Sequence, residues 1–140
     1  MAAKTISIEF AGYWRDVNKG GVPTASGIYC VYECTHNVQA GNVILRRLIY
    51  IGEAEDVRTR LANHEKYPDW CRYVRQGNTL CFSFGAIGTV DRERAEAAMI
   101  FKHKHPENTE YANAFPFDQT TIILSGKTDS LNTNFTVVRT

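Results

Sequence analysis

Apolar and polar positions alternate along residues 5–10, with Ile6, Ile8 and Phe10 set against Thr5, Ser7 and Glu9. A period of two predicts a half-buried strand. Two richer runs follow, 27–33 and 43–51, dense in Ile, Val, Tyr and Leu. The polar segment between them, 35–41, carries His36-Asn37 and ends at Gly41-Asn42, so the pair predicts a hairpin that sets Tyr29 and Tyr50 on neighbouring strands, able to share one face. From 54 to 66 the period changes: Val57, Arg60, Leu61 and His64 fall on one helical stripe. Two of the four are apolar and two are cationic or titratable, so this stripe is not plain core.

Pro68-Asp69-Trp70 opens a further short helix, with Trp70, Tyr73 and Val74 apolar and Gly77 as its C-cap. Residues 80–87 alternate again through Leu80, Phe82, Phe84 and Ala86 and predict a central strand. Asp91 reads as the N-cap of a helix over 92–104, ended by Pro106. Ala95, Ala98 and Met99 are its apolar stripe, small enough to let it pack close to a sheet. The runs 120–124 and 135–139 predict a terminal hairpin. Trp14, after Gly12-Tyr13, reads as a core anchor at the edge of the domain, with base stacking as the minority reading. The order of elements predicts an α+β fold: a small, mainly antiparallel sheet with helices packed on it, an extra N-terminal strand and a C-terminal β-hairpin.

The 140 residues suit one domain, 1–140, with 119–140 as a C-terminal β extension. A net charge of +1 is low for a free-standing DNA-binding protein, so any nucleic-acid binding has to come from a local patch or from a partner. No run approaches the roughly 18 apolar residues of a membrane span, and the first residues lack the apolar centre of a signal peptide. A cytoplasmic protein with no membrane association is the expectation. Cys30, Cys34, Cys71 and Cys81 form no C-x-x-C, and they read as reduced, buried thiols rather than as a zinc site with His103 or His105.

The residues that could carry chemistry fall in a recurring order. Gly27-Ile28-Tyr29 is followed by Tyr50-Ile51-Gly52, then by Arg60 and His64, then by Glu96 in a helical run and Asn108 just past its end. In this order and register the chain resembles the GIY-YIG nuclease family over about residues 26–108. It departs from the family in one respect, a longer segment between the two tripeptides. The resemblance implies a GIY-YIG endonuclease-like fold and a divalent-metal-dependent endonuclease that hydrolyses DNA phosphodiester bonds. Its catalytic positions would be Tyr29, Tyr50, Arg60, His64, Glu96 and Asn108, with Gly27 and Gly52 as motif glycines.

The resemblance implies that Tyr29 takes or relays the proton of an attacking water while Tyr50 helps hold that water or a phosphate oxygen. It implies one Mg²⁺ (or Mn²⁺) on Glu96, and Asn108 either positioning the phosphate or capping nearby backbone. Chemically, a phenol near pKa 10 needs a guanidinium or a metal ion to become a useful base. The guanidinium of Arg60 suits a phosphate and the charge that builds on it. His64, otherwise a surface or helix-end histidine, would touch phosphate or shuttle a proton. A lone carboxylate with waters and a substrate phosphate is a common way to hold Mg²⁺. Glu93 fits a helix-start surface acid instead, and Asn113 falls outside the register.

Arg58, Lys66 and Lys102 are candidate nucleic-acid contacts, in a rim that Arg72, Arg75, His103 and Lys104 would extend; the ordinary reading of such a scatter is a solvated face. DNA is the expected partner, with RNA and branched DNA left open, and a protein partner or a homodimer would supply specificity. The alternative is a non-catalytic nucleic-acid- or protein-binding module that retains the fold. A closed or acidic cleft around Tyr29 and Glu96 would favour the module, and an open, positive one the nuclease.

Overall fold

The computed structural model describes residues 2–140. Six strands form one mixed sheet in the order β3-β2-β4-β1-β5-β6: β1 (Lys4–Arg15), β2 (Gly27–Asn37), β3 (Asn42–Ala54), β4 (Thr79–Ala86), β5 (Thr120–Gly126) and β6 (Asn134–Val137). Every pairing is antiparallel except β1 with β5. The architecture is α+β, with β4 in the interior of the sheet and the terminal hairpin β5–β6 completing it through β1. Among the described residues no helix is long and apolar enough to cross a membrane.

Alternation along β2 divides the core. Ile28, Cys30, Tyr32 and Cys34 face one layer, while Tyr29 and Val31 face the other. Helix α3 (Thr89–His103) covers the first face with Ala95, Ala98, Met99 and Ile100. Helices α1 (Val57–Ala62) and α2 (Tyr67–Cys71) cover the second with Val57, Leu61 and Trp70. The small alanines allow the close approach expected of them. Trp14 is half-buried against the second layer, the anchor role anticipated for it.

Several boundaries differ from the expected ones. β1 runs on past Phe10 to Arg15 through an irregular register between Gly12 and Trp14, where it continues to pair with β4. β3 extends to Ala54, so the helix expected over 54–66 is confined to Val57–Ala62. Asp56 is the reason for its start: its carboxylate accepts from the Thr59 backbone N–H at 3.2 Å, an N-cap missed in the sequence. Helix α3 starts two residues earlier than Asp91, with Gly88 at its N-cap, and ends with Lys104 in the left-handed region at φ 46°. Gly77 does not cap α2, which ends at Cys71; it sits in the following turn at φ 88°.

Two buried charges tie the fold together. Glu33 is fully buried on β2, where burial alone would raise its pKa. The Asn78 side-chain N–H (2.8 Å) and the Arg75 backbone N–H (2.9 Å) outweigh that and hold the carboxyl at about 2. Arg94 on α3 donates to Thr120 Oγ1 at 2.7 Å and to the carbonyls of Ala2, Asp118 and Gln119, locking the start of β5 to the helix. The cysteine expectation needs correcting: Cys34 and Cys81 are joined by a disulfide across β2 and β4, while Cys30 and Cys71 are free. Cys81 lies opposite Tyr32, one diagonal step from Cys34, a placement that linear spacing does not reveal.

Candidate active site

The β2–β3 register sets Tyr29 opposite Gly52 and Val31 opposite Tyr50. Val31 shares a face with Tyr29, so Tyr50 opposite it lies on the Tyr29 side of the sheet; beyond Tyr50 the pairing steps over Ile49. The two rings lie 6.2 Å apart on the face covered by α1 and α2. Both motif glycines make room rather than bend the chain. A Cβ at Gly52 would stand 2.3 Å from Cζ and Oη of Tyr29, and one at Gly27 would stand 2.4 Å from the Gly85 carbonyl and 2.5 Å from the Phe84 ring. Tyr29 therefore lies across the vacancy at Gly52, with only 1 % of its surface exposed.

His64 is not on the helix that carries Arg60. α1 ends at Ala62, and His64 occupies the turn before α2, where its side chain is fully buried. It reaches the predicted neighbours by a different route. Its ring lies tilted against Trp70 with centroids 4.4 Å apart and meets Tyr50 at 5.6 Å, and Nε2 lies 2.8 Å from the Tyr29 hydroxyl. Its tautomer follows from the other nitrogen: Nδ1 accepts the Lys66 backbone N–H at 3.1 Å. Burial, then Arg60, lowers the His64 pKa to about 4, so the ring is neutral near pH 7 and its one proton sits on Nε2. His64 thus donates to the Tyr29 oxygen and leaves the phenolic hydrogen free to donate elsewhere.

Both phenols are neutral at rest. Burial and the Tyr50 ring raise the pKa of Tyr29, and burial together with Glu96 pushes Tyr50 up to about 12; Arg60 acts against both shifts without overcoming them. Arg60 itself is occupied, with Nη1 and Nη2 donating to the two carboxylate oxygens of Glu65 at 2.6 and 2.7 Å. Its partner was not anticipated. A continuous helix would turn positions 60 and 65 to different faces, and the early end of α1 is what lets them meet.

Glu96 lies on α3, across the sheet from α1, yet it reaches the open edge of β3. There it shares a cleft of about 200 Å³ with Tyr50, Lys66, Ile100, Asn108 and nearby acids. Glu96 and Arg60 act on both tyrosines with opposite sign, Glu96 raising and Arg60 lowering their pKa. Burial, then Glu53, Glu110 and Glu93, raises the Glu96 pKa to about 8. An acid held protonated by desolvation and neighbouring carboxylates has the electrostatics a divalent cation relieves. Among the described residues no group of three or more His, Cys, Asp or Glu is arranged to hold a metal. An ion here would rest on Glu96, with waters completing its shell.

Asn108 does the second of the two jobs expected of it. β3 is an edge strand, and Asn108 Oδ1 accepts from the Ile51 N–H while Nδ2 donates to the Ile51 carbonyl, both at 2.9 Å. One side-chain amide stands in for a missing strand beside the Tyr50-Ile51-Gly52 tripeptide. Asn108→Ala leaves both buried backbone groups unpaired and is expected to cost about 1–3 kcal/mol. Thermal unfolding and hydrogen exchange at the Ile51 amide check this; unchanged values for both would contradict it.

The basic rim is not continuous. Lys66 lies in the cleft, with Nζ 6.0 Å from the Tyr50 ring centre. Arg58 donates to the Val22 carbonyl, and Lys102 lines a separate groove beside Phe101 and Thr136. Arg72 and Arg75 pair with Asp69 and Glu33, Lys104 donates to the Ala112 carbonyl, and His103 bridges the Met99 carbonyl and the Asn132 N–H. The cleft wall is acidic, with Glu96, Glu107 and Glu110 against Lys66. Comparisons of the chain with protein-family models, with curated proteins and with solved structures find no match, so the functional reading rests on the geometry of this cleft.

Proposed function

We propose that the chain is a GIY-YIG-type endonuclease that hydrolyses DNA phosphodiester bonds with one Mg²⁺ or Mn²⁺. The observation that carries this reading is the cluster of Tyr29, Tyr50 and His64, with Glu96 in the cleft that Tyr50 lines and Arg60 near enough to act on both phenols. When bound, the ion supplies Lewis acidity to the phosphate and stabilises the leaving oxygen. Arg60 binds the phosphate and offsets charge in the transition state. Tyr29 takes the attacking water's proton on its hydroxyl oxygen as its own hydroxyl hydrogen passes to a phosphate oxygen. His64 steadies the Tyr29 oxygen with its Nε2–H as negative charge builds there. Tyr50 holds the water or a phosphate oxygen beside the cleft.

The acidic wall favours the second reading, a binding module that retains the site without using it. A bound cation reverses that local charge, so divalent-ion dependence separates the two. In a screen of plasmid, branched, nicked and single-stranded DNA and of RNA, wild type is expected to cut DNA with Mg²⁺ or Mn²⁺. Arg60→Ala and Glu96→Ala are expected to lose that cutting. If wild type leaves every substrate intact with every ion, the nuclease reading fails for this chain.

A further inference from the structure

We propose that Glu65 occupies the phosphate subsite of Arg60 and gates it, so that a phosphate binds only by displacing this carboxylate. The inference rests on the reading of Arg60 as a phosphate ligand and adds a regulator of that contact. Glu65 offers its two oxygens to Nη1 and Nη2 in the paired arrangement in which guanidinium also takes two phosphate oxygens. The same donors cannot serve both anions at once.

Geometry also says which partner moves. The Glu65 side chain is 66 % exposed in the turn between α1 and α2, and apart from its own backbone N–H its carboxylate is held by Arg60. The neutral His64 ring, 3.8 Å away at Nδ1, gives it no ion pair. Arg60 is the more enclosed of the two, at 36 % exposed, and it acts directly on the Tyr29 and Tyr50 phenols. Glu65 can swing into water without opening any packed surface, while the guanidinium stays beside the tyrosines. The carboxylate therefore marks the place where the phosphate arrives and weakens its binding by competition.

Inorganic phosphate is the probe, titrated into wild type, Glu65→Gln, Glu65→Ala and Arg60→Ala while the backbone amide signals of residues 57–67 are followed by NMR. Both Glu65 variants are expected to bind phosphate at least about tenfold more tightly than wild type, and Arg60→Ala to show no saturable binding. Equal affinity in wild type and both Glu65 variants would overturn the gate. Weaker binding in both variants would overturn it too, because it would make Glu65 a support that positions Arg60. Tighter phosphate binding without cleavage of any nucleic acid would keep the gate and remove the nuclease reading. Cleavage by wild type with no effect of Glu65 on phosphate binding would do the reverse.

Discussion

Glu96→Gln is expected to lower divalent-ion-dependent cleavage by at least about 100-fold, on the scale seen when one key charge-stabilising group is removed from an active site. The same substitution is expected to stabilise the ion-free protein at alkaline pH. The carboxyl titrates at about 8 in the fold against an ordinary 4.5, so between those values the native state keeps a proton that the unfolded chain has released. Stability therefore falls as pH rises through that window, and the full destabilisation is present above pH 8. A neutral amide removes the penalty, and a bound cation offsets it. Mg²⁺ should accordingly raise the Tm of wild type more at pH 9 than at pH 6, and should leave Glu96→Gln unmoved at both. Thermal melts at the two pH values check this; an equal Mg²⁺ effect in wild type and variant would place the ion elsewhere.

Gly52→Ala is the second large effect. The added methyl would sit 2.3 Å from the Tyr29 Cζ and Oη, and Tyr29 is enclosed among Val31, Val57, Leu61 and Trp70 with no solvent to retreat into. Either β3 moves or the ring does, at an expected cost of about 1–3 kcal/mol. Moving the ring also breaks the 2.8 Å bond to His64, so cleavage should fall about as far as it does in Tyr29→Phe. Gly20→Ala is the control: a Cβ there meets nothing within 4 Å, and it should be silent. Combining Gly52→Ala with Tyr29→Leu should recover part of the lost stability, because the two substitutions relieve one contact. Denaturant unfolding of the four proteins decides this; additive losses would show that Gly52 is required for another reason.

Legibility in the sequence followed the range of the interactions. The alternation Ile6, Ile8, Phe10 and the run from Leu80 to Phe84 gave away their strands, because burial on one or two faces imposes a period that needs no knowledge of partners. A hairpin was enough to set Tyr29 and Tyr50 on neighbouring strands, and the register then puts them on one face. What escaped depended on contacts distant along the chain. Glu33 is buried because Arg75 and Asn78, more than forty positions away, wrap it. Arg94 looked like one charge among several in its helix and is instead the clamp on Thr120. The disulfide Cys34–Cys81 depends on a strand pairing that no spacing announces.

The helix over 54–66 failed for a local reason. Asp56 supplied a start signal, but Asn63, at φ −137° and ψ 46°, takes the chain out of helix before His64. His64 and Tyr29 still meet, through a turn rather than a stripe, and Arg60 turns to Glu65. The helical pattern over 54–66 hides Glu65, because only the turn brings it to Arg60.

The decisive measurement is Mn²⁺-induced broadening of the backbone amide signals of the wild-type protein. Broadening is expected to centre on Glu96 and to spread to Tyr50, Lys66 and Asn108, which line the same cleft, and to vanish in Glu96→Gln. Broadening that centres on another part of the surface, or that survives the substitution, would contradict a site in which one cation sits beside the two tyrosines.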